Sequence, residues 1–117
     1  MPEEVFRLGN SNSARLSHVR SVDMNTTVVN GILVVIANNK GISVFDRESI
    51  MKSPMNGWVW QFLPNTSFPL GLKLVNDKPG HYCIAPTTNM PIDKYKGLLE
   101  ELALKATRVF QKHGKQA

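Results

Sequence analysis

Residues 26–37 read Thr-Thr-Val-Val-Asn-Gly-Ile-Leu-Val-Val-Ile-Ala. Two runs rich in β-branched residues, Thr26 to Val29 and Ile32 to Ala37, flank Asn30-Gly31. That pair tolerates the positive φ angles of a type I′ turn, so the stretch predicts a β-hairpin. Downstream, Asn38 to Gly41 is a second turn and Ile42 to Phe45 a further short strand. Asp46 then caps a short helix from Arg47 to about Lys52, because its carboxylate can accept an orphan helix N–H. Pro54 stops that helix. Upstream, Val5 to Leu8 predicts a first strand and Gly9 to Ser13 a loop. Leu16 to Val22 is a weak strand with Leu16, His18, Arg20 and Val22 on one side.

Beyond the helix, Trp58 to Leu63 predicts a strand with Trp58, Trp60 and Phe62 on one face. Leu72 to Val75 and His81 to Ala85 are strands on either side of the turn Asn76-Asp77-Lys78-Pro79-Gly80. Pro86 to Pro91 is a loop. From about Ile92 to Lys112, the residues Tyr95, Leu98, Leu99, Leu102, Ala106, Val109 and Phe110 recur at helical spacing, which predicts one long C-terminal helix. Its basic residues, with Lys115 beyond, read as a solvated face. Many strands followed by one helix imply a mostly antiparallel α+β architecture, and 117 residues suit one domain over 1–117.

Hydrophobic residues make up 42% of the chain, enough for a core, and the net charge of +5 favours an anionic partner. One cysteine, Cys83, excludes an internal disulfide and a multi-cysteine zinc site, and on an apolar strand it reads as a small buried hydrophobe. The three histidines, His18, His81 and His113, lack the spacing of paired metal ligands, so no metal is expected. No apolar run approaches the roughly 18 residues of a membrane span. The start, Met-Pro-Glu-Glu, lacks a signal-peptide pattern, so the expectation is a protein made in the cytoplasm. Walker-type phosphate loops, dinucleotide-binding glycine fingerprints and nucleophile elbows are all missing.

What remains is a series of scattered pieces: Val5-Phe6-Arg7-Leu8-Gly9, Leu16 to Arg20, Lys40-Gly41-Ile42-Ser43-Val44-Phe45-Asp46, and Gly80-His81-Tyr82-Cys83-Ile84. In their order and spacing they resemble the small ADP-ribosyltransferase-like toxins delivered by bacterial type VI secretion systems. Those toxins carry an aromatic-Arg pair on the first strand, here Phe6-Arg7. They carry a Gly-x-Ser-[Val/Leu]-Phe strand leading into a short helix, here Gly41 to Phe45 with Asp46-Arg47. Near the end comes a His-Tyr strand, here His81-Tyr82, then a Pro-containing loop and a basic amphipathic helix. The match is closest from Lys40 to Lys112.

The resemblance implies antiparallel sheets of the ADP-ribosyltransferase kind with nicotinamide adenine dinucleotide (NAD) held between them. It implies Arg7, Ser43 and His81 as catalytic residues, with Arg7 and Ser43 contacting the cofactor and Phe45 and Tyr82 packing it. A guanidinium fork matches phosphate oxygens, a hydroxyl orients ribose, and aromatic rings pack nicotinamide. It also implies an unknown macromolecular target, a cognate immunity protein as partner, and delivery into the cytoplasm of another cell. One feature of such enzymes, a late-strand glutamate that stabilises the ribosyl cation, has no counterpart among Glu3, Glu4, Glu48, Glu100 and Glu101. Two rival readings stand beside this one. A basic nucleic-acid-binding module would stack bases on Trp58, Trp60 and Phe62. An RNA 2′-phosphotransferase would share the fold and the dinucleotide.

Overall fold

In the computed structural model, which describes residues 4–20 and 23–114, Asn30 and Gly31 take φ of 51° and 78° and turn the chain between β2 (Thr26–Val29) and β3 (Ile32–Val35). The hairpin signal is thus realised at the expected turn. A two-residue strand, β8 (Met90–Pro91), pairs with the other side of β3 and completes a three-stranded sheet, β2-β3-β8.

The larger sheet has six strands. They are β1 (Val5–Gly9), β4 (Ile42–Phe45), β5 (Gly57–Phe62), β6 (Leu72–Lys78), β7 (His81–Pro86) and β9 (Thr107–Lys112), in the spatial order β6-β7-β4-β1-β5-β9. Every pairing is antiparallel. Among the described residues, two helices complete the α+β fold: α1 (Arg47–Lys52) after β4, and α2 (Ile92–Ala103) after β8. Asp46 caps α1 as its sequence predicts, accepting the Ser49 N–H at 2.8 Å.

Alternation along the strands sorts side chains onto two faces. Val5, Val44, Ile42, Phe62 and Ile84 join Tyr95, Leu99 and Leu102 of α2 in the main core. Phe6 and Val59 pack with Ile50 of α1 in a smaller cluster on the other face. Fully burying each such side chain contributes roughly 1.5–3 kcal/mol, so these clusters fix the strand register. Tyr95 adds a polar pin inside the main core. Its hydroxyl donates to the Ile84 carbonyl at 2.6 Å and accepts from the Ile42 N–H at 3.3 Å. Burial pushes this hydroxyl above its ordinary pKa, which keeps it a donor. Tyr95→Phe leaves the Ile84 carbonyl without that bond at a cost of about 1–3 kcal/mol. A thermal melt should fall by about 4–12 °C, and an unchanged melt would contradict the pin.

The long C-terminal helix is not formed. α2 stops at Ala103, and Thr107–Lys112 instead lies along β5 as an edge strand, Val59 opposite Phe110 and Gly57 opposite Lys112. The helical spacing of Val109 and Phe110 is coincidental, since Val109 is 41% exposed. The run Thr-Arg-Val-Phe is rich in β-branched and aromatic residues, and the open edge of β5 offers it a ladder. Leu16 to Arg20 forms no strand, although Leu16 is fully buried in the core; Ser21, Val22, Glu3 and Lys115 lie outside the described residues.

Candidate functional site

The Gly-x-Ser motif has a packing reason. A Cβ on Gly41 would sit 2.0 Å from the Ile84 carbonyl oxygen, so only glycine lets β4 start against β7. From there the register places Ser43 opposite Cys83 and Phe45 opposite His81. These four side chains therefore share one face of the sheet. The Phe45 and His81 rings meet edge to face, 5.2 Å between centroids. Tyr82 pairs with Val44 on the opposite face and packs against the main core, away from the Ser43 side.

Beside these residues the sheet opens. β1 and β5 are matched over five positions, but β1 meets β4 at a single one, Phe6 opposite Phe45. Where that ladder ends, the Arg7 side chain takes its place. Its Nη1 donates to the Ser43 carbonyl at 2.7 Å, which satisfies a backbone acceptor that β1 does not reach. Its Nε is buried and has no hydrogen-bond partner among the described residues. Burial pulls the Arg7 guanidinium below its usual pKa, the Asp23 carboxylate opposes this, and nearby Arg20 and Arg15 add to it. A guanidinium stays charged under such pressure, so this crowded cation is short of an anion.

Two adjoining hollows share Ser43. One, of about 370 Å³, is lined by Arg7, His18, Arg20, Phe45 and, across from them, Ser53 and Met55. The other, of about 390 Å³, is lined by Lys40, Gly41, Asp23, Asp77, His81 and Cys83. Arg7 and His81 thus stand on either side of Ser43. A larger hollow of about 670 Å³ lies between Trp60 and α2, but Glu100 and Glu101 line it and would repel a phosphate.

A β-bulge completes the second hollow. The β6–β7 register shifts between Asn76 and Lys78, and Asn76 Nδ2 holds the distortion by donating to the Lys78 and His81 carbonyls, each at 2.9 Å. Bulges re-aim side chains. Here Asp77 turns to His81, with its Oδ1 2.6 Å from Nδ1, and its Oδ2 accepts from the Cys83 thiol at 3.8 Å. Burial would raise the Asp77 carboxyl, but the hydrogen bond and charge of His81 outweigh it and hold the acid below its ordinary value. Burial and the Asp77 charge push the Cys83 thiol up, so it is no ready nucleophile.

Of the residues singled out from sequence, Arg7, Ser43, Phe45 and His81 line these two hollows; Asp77, Asp23, His18, Arg20 and Lys40 line them too and were not among the site residues expected. A turn-forming Asp-Lys-Pro-Gly string gives no sign of a bulge. None of the described glutamates lines either hollow beside Ser43: Glu4 accepts from Gln61 Nε2 at 2.6 Å, and Glu48 pairs with Lys52 at 2.7 Å. The carboxylates near Ser43 are those of Asp23 and Asp77.

The aromatic strip is taken up by the fold. Phe62 is fully buried, Trp60 Nε1 donates to the Asn10 carbonyl at 2.8 Å, and Arg108 covers Trp58 at 4.5 Å from the ring centroid. It is no open platform for stacking bases. Among the described residues, no helix is long and apolar enough to cross a membrane.

Within the larger antiparallel sheet, the gap between β1 and β4 carries the Arg7 guanidinium with Ser43 at its edge. Comparison with protein families identifies the class: the family described as Tse2 ADP-ribosyltransferase toxin matches residues 3–110, and the chain belongs to it. No curated protein and no solved structure gives a significant match.

Proposed function

We propose that the chain binds NAD in the cleft between β1 and β4 and transfers its ADP-ribose to a macromolecular target, stopping growth of the cell that receives it. The family supplies the transferase chemistry. The observation that carries the site is the buried, anion-short guanidinium of Arg7 fixed on the Ser43 carbonyl.

In this reading the part of the Arg7 guanidinium that lines the hollow receives the pyrophosphate, with His18 and Arg20 beside it. Ser43 bonds a ribose hydroxyl, and Phe45 packs the nicotinamide ring. The bond between ribose C1′ and the nicotinamide nitrogen breaks, and nicotinamide leaves with the electron pair. The positive charge left on the ribose resembles that of glycoside cleavage, where a carboxylate stabilises it. The carboxylates lining the adjoining hollow are Asp23, paired with Arg20 at 3.3 Å, and Asp77, bonded to His81 at 2.6 Å, so the one that faces the ribose gives up part of that pairing in the transition state. The acceptor then attacks C1′ and gives its proton to His81, whose imidazolium Asp77 stabilises.

A toxin of this kind needs restraint in the cell that makes it. The +5 charge suits an acidic immunity protein that covers the cleft until a secretion system carries the chain into a target cytoplasm. Induction in a bacterium lacking that partner is expected to stop growth. Ser43→Ala should relieve the arrest and slow nicotinamide release from NAD about tenfold, the loss of one hydrogen bond in the transition state. A folded Ser43→Ala chain that stays fully toxic would overturn the assignment.

A further inference from the structure

Asp77, His81 and Cys83 bring an oxygen, a nitrogen and a sulfur donor together at one end of the β6–β7 hairpin, all within 4.8 Å of one another. From this geometry we infer that the three form a binding site for a thiophilic divalent cation, best matched by zinc. Zinc takes N, S and O donors at about 2.0–2.3 Å in a tetrahedron, which sets donor-to-donor separations of about 3.3–3.7 Å. Here Asp77 Oδ1 is closer than that to His81 Nδ1, at 2.6 Å, and the other carboxylate oxygen, Oδ2, lies 3.8 Å from Cys83 Sγ. Opening the first by about an ångström needs only a rotation of Asp77, whose side chain is 39% exposed.

The surroundings fit such an ion. The bulge at Asp77 is what turns its carboxylate onto the face carrying His81 and Cys83. Cys83 is buried with its thiol against that carboxylate, so an entering cation displaces the thiol proton, which is released to solvent, and meets both the thiolate and the carboxylate. The three donors line a hollow rather than a sealed core, which leaves a fourth position for water. Magnesium and calcium are disfavoured, because they call for oxygen donors only.

Cobalt(II) reports the site directly, since a cobalt–thiolate bond gives a near-ultraviolet charge-transfer band and Cys83 is the sole cysteine. The full chain, free of any polyhistidine tag, should bind one cobalt ion with that band, and zinc should displace it. Cys83→Ser should lose the band. His81→Asn and Asp77→Asn should each weaken cobalt binding by at least about tenfold, with their circular dichroism unchanged. No thiolate band in the parent chain, or undiminished binding in both His81→Asn and Asp77→Asn, would overturn the site. A cation on Asp77 and His81 takes up the proton acceptor of the transfer step, so in the NAD reading the metal-bound chain is the restrained form; the titration contains no dinucleotide, so its failure is distinct from failure of that reading.

Discussion

Arg7→Ala is expected to slow nicotinamide release from NAD by about two orders of magnitude and to abolish growth arrest. A hydrogen bond to a charged group is worth about 1.5–3 kcal/mol, and Arg7 offers several to the pyrophosphate at once. Its Nη1 is already committed to the Ser43 carbonyl at 2.7 Å, and its Nε waits in a buried position without a partner among the described residues. The same side chain therefore holds open the gap between β1 and β4 and supplies the charge inside it. Arg7→Lys separates these jobs. An ammonium keeps the charge but not the fork that reaches carbonyl and phosphate together, so its rate should fall between those of the parent and Arg7→Ala. Rates at NAD concentrations below KM, with thermal melts as a folding control, read both variants. Parent-like rates from folded Arg7→Ala would remove Arg7 from the site.

Lys112→Met is expected to cost about 3 kcal/mol of stability, a fall in Tm of roughly 12 °C for a chain of this size. Lys112 is fully buried, and its Nζ donates to the carbonyls of Ser53, Met55 (2.7 Å) and Gly114 (2.6 Å). Methionine fills the same volume but leaves those acceptors unbonded. The effect should extend beyond stability. Ser53 and Met55 form the wall of the cleft across from Arg7, and Lys112 ties that segment to β9. Proteolysis or hydrogen exchange should show the 53–56 stretch opening first. A melt within about 2 °C of the parent would show that water satisfies the carbonyls instead.

Local chemistry in the sequence carried far. Asn30-Gly31 specified its hairpin, Asp46 its helix cap, and Ile42 to Phe45 a short strand. Each of these is decided within a few residues. What escaped was decided across the chain. Thr107–Lys112 became a strand because β5 had an open edge, and no spacing within the segment announces that edge. Lys112 looked like one more charge on a solvated helix face, yet it is buried among carbonyls contributed by residues far along the chain. The candidate site divides in the same way. Arg7, Ser43, Phe45 and His81 sit in recognisable short motifs. Asp77 joins them only through a bulge, and Tyr82 departs because strand alternation turns it to the core.

The cleft between β1 and β4 is the centre of this account, and a crystal structure of the chain with NAD or a non-hydrolysable analogue tests it most directly. The pyrophosphate should lie against the Arg7 guanidinium, with the nicotinamide ribose beside Ser43 and the ring over Phe45. Density for the dinucleotide in the larger hollow against α2, or no density at saturating concentration, would contradict it.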